Sequence, residues 1–183
     1  MLMAQITGAW TLAALDRLPD DGNTYELVDG ELFVTPAPSP AHEYLASALR
    51  AILEPYVKAQ RLGKVYSPSS VIRTGGSEVE PDLMVRPAPS TPPNTWEEMP
   101  IPLLVVEVLS KTTRRRDHAQ KRAFYLRSGV AEYWIVDGEH RTIRVVTPNA
   151  DDVVPDSKLV WQPTGASEAL EIDVAAYFRE ALG

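Results

Sequence analysis

The sequence predicts an α/β fold, an α+β sandwich with a mixed central sheet flanked by helices, and three stretches carry that expectation. Residues 101–110 (IPLLVVEVLS) hold an unalternated run of Leu and Val, the habit of a strand covered on both faces. Residues 41–61 place Leu45, Leu49, Ile52, Leu53, Tyr56 and Val57 at three- and four-residue steps, the mark of an amphipathic helix. Tyr25-Glu26-Leu27-Val28 and Glu31-Leu32-Phe33-Val34 flank Asp29-Gly30, a strong short-range signal for a hairpin. Strands of mixed setting with helices on both sides of a Val-rich strand give layered α/β architecture.

The remaining elements follow in order. Thr11 caps a short helix over residues 12–18, ended by Pro19 and Gly22. Pro36, Pro38 and Pro40 interrupt the chain before the long helix. Residues 64–73 and 78–85 read as two strands joined by the turn Thr74-Gly75-Gly76-Ser77, and residues 86–100, with five prolines, as an irregular loop. Thr112 or Thr113 can cap a helix that runs to about Ser128 and stops at Gly129. Residues 133–136 and 142–146 form a second hairpin about Asp137-Gly138, residues 158–161 a further strand, and residues 172–182 a closing helix begun by Asp173. No repeat, low-complexity tract or linker divides the 183 residues, so 1–183 reads as one domain.

Composition narrows the function classes. Without cysteine there is no thiolate nucleophile, disulfide or Cys-ligated zinc. The first ten residues carry no basic region followed by an apolar stretch, and no apolar run is long enough to span a membrane, so the expected setting is cytoplasmic. A net charge of −7 argues against attraction to a polyanion over the whole surface. Yet Lys111, Arg114, Arg115, Arg116, Lys121, Arg122 and Arg127 put seven of the eighteen basic residues within seventeen positions. That cluster is either a solvated helix face or a surface for an anionic ligand.

Glu107 stands in the middle of the apolar strand. An unpaired ionised carboxylate in a core costs several kcal/mol, so this one must be protonated, paired with a cation or bound to a metal. In a strand Val105, Glu107 and Leu109 point one way and Leu104, Val106 and Val108 the other. If the strand carrying Asp82 lies alongside, two carboxylates converge. They then need a cation between them, and oxygen-only ligation suits Mg²⁺ or Mn²⁺.

Pro81-Asp82, followed some twenty-five residues later by Glu107-Val108-Leu109, resembles the PD-(D/E)XK signature of restriction-endonuclease-like enzymes. More narrowly, the chain from about residue 10 to 180 resembles the Uma2 family of endonucleases. The resemblance rests on Tyr25 through Leu32, His42, Pro81-Asp82-Leu83, Val106 through Ser110, Thr113 through Asp117, Lys121, Tyr125, Gly129-Val130 and Glu132 through Asp137. It implies a restriction-endonuclease-like core, with Asp82, Glu107 and the Val108 carbonyl as ligands of Mg²⁺ or Mn²⁺. Glu26 becomes a helper ligand or orienter and Lys121 the residue that holds or deprotonates the attacking water. Where the signature has lysine this chain has Leu109, and the resemblance moves that role to Lys121, with Lys111 as a lesser substitute.

By the same resemblance Tyr125, Asp117 and His42 are supporting residues, and Lys111, Arg114, Arg115 and Arg116 contact nucleic acid. The implied activity is metal-dependent phosphodiester hydrolysis in DNA by a homodimer. Each residue also has a plainer account. Glu26 can be a solvent-facing strand residue, Asp82 a turn former, His42 a packing or capping residue, and Asp117 with Lys121 an exposed i,i+4 pair. Two further functions stay open: a nuclease-fold module that binds nucleic acid or a protein without cutting, and a structural dimer module joined through the hairpin around Asp137.

Overall fold

The computed structural model describes residues 4–6, 10–110 and 117–183, with residues 4–6 and 117–118 described by their backbone alone. Among the described residues, two five-stranded sheets and a two-stranded ribbon carry four helices. The first sheet runs in the order β1 (Ala4–Ile6), β3 (Glu31–Thr35), β2 (Thr24–Val28), β6 (Ser77–Val79), β5 (Ile72–Thr74). The second runs β10 (Thr142–Val146), β9 (Glu132–Asp137), β8 (Leu104–Val108), β7 (Leu83–Arg86), β4 (Lys64–Tyr66). It is mixed: β8 and β9 are parallel and joined through α3 (Asp117–Arg127), and the other pairs are antiparallel.

The predicted central strand is β8, the middle of its sheet, and its two faces part as alternation requires. Leu104, Val106 and Val108 enter one core with Leu45, Leu49, Leu53 and Val57 of α2 (Pro40–Ala59). Val105 enters another with Val28, Phe33, Ile72, Val79, Phe124, Tyr125 and Tyr133, which fills the space between the two sheets and α3. Glu107 points into that second layer, which is why a carboxylate is tolerated there only with partners.

Local chemistry fixes the elements that frame this layer. Asp29 and Gly30 both take positive φ, 52° and 82°, the requirement of a tight hairpin turn between β2 and β3. Ser39 caps α2 by accepting the His42 N–H, and Pro40 occupies the first turn, where its missing donor costs nothing. Gly129, at φ 85°, ends α3, with the Val130 N–H closing onto the Tyr125 carbonyl at 3.1 Å.

Several expectations change. Residues 64–73 are not one strand: β4 stops at Tyr66 and β5 starts at Ile72 in the other sheet. Pro68 removes a ladder donor, and Ser69 at φ 72° reverses the chain. Residues 78–85 divide likewise into β6 and β7 around Glu80-Pro81-Asp82, so Asp82 precedes its strand rather than lying within it. The leading helix α1 spans only Leu12–Leu15. Residues 170–173 form β12 (Leu170–Asp173), which pairs with β11 (Lys158–Trp161), before α4 (Val174–Leu182) begins at the expected Asp173 cap. Within the proline-rich loop Trp96–Glu98 makes one 3-10 turn. Among the described residues no helix is long and apolar enough to cross a membrane.

Candidate active site

Strand pairing delivers the two carboxylates. β7 and β8 are antiparallel with Leu83 opposite Val106, so the next position along sets Asp82 against Glu107. The Val108 N–H donates to Asp82 Oδ2 at 2.7 Å, and His42 Nε2 lies 3.1 Å from the same oxygen. Glu26 arrives from the other sheet. It shares a face of β2 with Val28, is only 2% exposed, and accepts the Glu80 N–H at 2.8 Å through Oε1. The solvent-facing reading of Glu26 is therefore corrected.

Helix α3 supplies the positive charge. Lys121 Nζ lies 2.8 Å from Glu26 Oε2 and 3.0 Å from Glu107 Oε1. One turn on, the buried Tyr125 hydroxyl donates to Glu107 Oε1. The helix is held over the site by Gln120 Nε2 to Glu31 Oε2 at 2.9 Å and Arg127 Nη2 to Asp29 Oδ1 at 2.6 Å, both on the β2–β3 hairpin. The i,i+4 reading thus gives way for Lys121, whose ammonium is partnered by two carboxylates in the sheets; the Asp117 side chain lies outside the described residues.

The electrostatics follow from three carboxyl groups facing one ammonium. Burial, with Asp82 and Glu26 as neighbours, pushes the Glu107 carboxyl well above its ordinary value, although Lys121 and the Tyr125 hydroxyl pull the other way. Burial works against the Lys121 charge, but Glu107 and Glu26 outweigh it and hold the group well above an ordinary lysine. Burial and the same two carboxylates push Tyr125 up, so it stays a donor. His42 is raised too: burial opposes its charge, and the hydrogen bond to Asp82 prevails. The cluster has an excess of negative charge and gains from a proton or a cation.

A divalent metal fits that excess. Asp82 Oδ1 and Glu107 Oε2 accept no hydrogen bond from the described residues. Among the described residues no three His, Asp or Glu side chains gather to enclose a metal. Mg²⁺ does not require that, since one or two carboxylates commonly hold it while water and substrate phosphates complete the shell.

Glu80 belongs to the cluster and sequence reasoning passed over it. Burial raises its carboxyl, Glu26 and Asp82 add to the rise, and its Oε1 accepts the Ser69 N–H at 2.8 Å. Its signal was the alternation Glu80-Pro81-Asp82, which places acids two apart. The basic cluster is narrower than its composition implies. Lys121 is engaged inside, Arg122 pairs with Asp152 and Arg127 with Asp29, both at 2.6 Å. Lys111, Arg114, Arg115 and Arg116 lie outside the described residues. A cavity of about 370 Å³ against α4, lined by Arg141, Val174, Phe178 and Arg179 among others, shares no residue with the cluster.

No curated protein matches. A crystal structure described as a "putative nuclease belonging to DUF820" from Anabaena variabilis superposes with a TM-score of 0.77 at 22% identity, covering 94% of this chain and 99% of that one. At that identity the likeness establishes a shared fold. The Uma2 family model, described as "Putative restriction endonuclease", matches residues 12–175, nearly the whole length, and the chain belongs to that family.

Proposed function

We propose that this chain hydrolyses phosphodiester bonds in DNA, as a cytoplasmic homodimer, with Mg²⁺ or Mn²⁺ held by Asp82, Glu107 and the Val108 carbonyl. The observation that carries the reading is Lys121, whose Nζ lies within 3.0 Å of both Glu26 and Glu107, a position from which it can take the role that Leu109 leaves open. When bound, the cation supplies Lewis-acid stabilisation of the charge that develops on the scissile phosphate.

The chain's own residues do the rest. Lys121, fixed by Glu26, presents N–H donors and positive charge toward water and phosphoryl oxygens. Of the two roles that the resemblance allows, holding the water is the one an ammonium between two carboxylates performs as it stands. Tyr125 orients Glu107 through its hydroxyl, and His42 with the Val108 N–H orients Asp82. Lys111, Arg114, Arg115 and Arg116, which enter the chain between Ser110 and α3, draw the nucleic-acid backbone to the site.

The test is calorimetric titration of Mn²⁺ into wild type, Asp82→Asn and Glu107→Gln, followed by cleavage of a DNA duplex with Lys121→Ala as control. Saturable wild-type binding abolished by both variants, together with cleavage lost in all three, is expected. A wild type that binds no Mn²⁺ even with duplex present, and leaves the duplex intact, refutes the reading in favour of a non-cutting module.

A further inference from the structure

Arg86 closes β7 at the end opposite Asp82, and its surroundings differ from those of every other described arginine. It is 2% exposed, yet only Nη2 has a partner, the Val71 carbonyl at 3.0 Å, while Nε and Nη1 are buried without a hydrogen bond. A guanidinium carries one N–H on Nε and two on Nη1, so several strong donors are withheld from solvent and unanswered. The Trp96 ring lies over the guanidinium at 5.9 Å, with Tyr66 packed edge-on against Trp96 at 6.5 Å.

A second cation stands beside it. β4 and β7 are antiparallel with Lys64 directly opposite Arg86, and opposed residues share a face of the sheet. Like charges so placed repel. Among the described residues neither forms an ion pair with a carboxylate, whereas Arg50, Arg73, Arg122, Arg127 and Lys158 all do. Burial lowers Arg86 only to about 10, so it remains charged at neutrality. Gly63 backs onto the Arg86 carbonyl so closely that a Cβ there would stand 2.0 Å from its oxygen, so the two strand ends are in tight contact. A buried cation with open donors and a second cation across the ladder form the cationic half of a site.

We propose that Arg86 and Lys64 bind a small inorganic oxyanion of the phosphate or sulfate class beneath Trp96. The exposed Lys64 marks the side from which it enters. This site is separate from the carboxylate cluster and independent of the nuclease reading: Asp82 lies just before β7 and Arg86 closes it, four residues on, roughly 13 Å at about 3.3 Å per residue.

The experiment is thermal unfolding of the full chain in sodium chloride against sodium phosphate at matched ionic strength, for wild type, Arg86→Met and Lys64→Met. Phosphate also stabilises proteins generally by exclusion from their surfaces, an effect all three share. Wild type is expected to show an additional rise in Tm, about 5–11 °C near a hundredfold excess over Kd for a chain of this length. Arg86→Met should lack it and Lys64→Met should show less than half. Equal responses in all three overturn the proposal. So does an Arg86→Met protein that is more stable than wild type at every phosphate concentration, which would mean the cation is simply unpaired. Should Arg86→Met fail to fold, the decision passes to phosphate calorimetry on wild type and Lys64→Met, where unchanged or absent binding overturns it. A rise given by a DNA duplex but not by free phosphate also overturns it, since the ligand would then be nucleic acid.

Discussion

Replacing Lys121 with Met tests whether the ammonium neutralises the cluster. Methionine keeps most of the length and removes the charge, leaving Glu26, 2% exposed, and the largely buried Glu107 without the cation now within 3.0 Å of both. Removing one partner of a buried ion pair costs about 3–5 kcal/mol. A carboxyl left alone can relieve part of that by taking up a proton, so the lower end, about 3 kcal/mol, is expected at neutral pH. At about 2–4 °C per kcal/mol for a chain of this size, Tm should fall by about 6–12 °C. Lys121→Arg keeps the charge and should lose less than half as much. Urea unfolding at pH 7 with both variants measures the difference, and the slope checks that the unfolding transition itself is unchanged. A Lys121→Met protein within about 0.5 kcal/mol of wild type, the range of ordinary surface substitutions, would show that Glu26 and Glu107 do not depend on this ammonium.

Two further outcomes test the frame. Gly63→Ala must both hold φ near 125° and fit a Cβ 2.0 Å from the Arg86 carbonyl oxygen, so it should lose about 3 kcal/mol or more, read as a Tm drop or failure to fold; a neutral result would mean that β4 and β7 can part freely. Glu132 accepts the Trp134 Nε1–H at 2.6 Å, and burial raises its carboxyl despite that bond. A raised carboxyl contributes stability below its unfolded pKa and loses it as pH rises through the folded value. Glu132→Gln should therefore match wild type at about pH 4 and exceed it at pH 7 in urea midpoint, and the opposite trend would contradict the burial argument.

The carboxylates were legible because a period-two pattern is unforgiving: once 104–108 is a strand, Glu107 must share a face with Val105, and it does. The α2 stripe and the Asp29-Gly30 turn were legible for the same local reasons. What local pattern could not show is where the chain changes sheets. Residues 64–73 and 78–85 each carry enough β-formers to read as one strand, and only Pro68 and Pro81, each unable to donate to a ladder, mark where each divides between the sheets. β12 was hidden because Leu170 to Asp173 runs without a break into the cap of α4.

That second crossing is also what makes the site. β6 lies beside β2, which carries Glu26, and β7 lies beside β8, which carries Glu107. Glu80-Pro81-Asp82 is the step between them, so the Glu80 N–H reaches Glu26 while Asp82 reaches the Val108 N–H. Carboxylates from two sheets are thereby fixed before any lysine is chosen. The usual lysine position, Leu109, packs against the apolar layer, while α3 lies above the carboxylates and turns Lys121 and Tyr125, four residues apart, toward the same oxygen of Glu107. Residues at that spacing share one helix face, so one face delivers both the charge and the hydroxyl. The sheets dictate where negative charge collects, and any element packed over that point can bring the cation. The lysine's place in the sequence is free in a way that the place of the carboxylates is not.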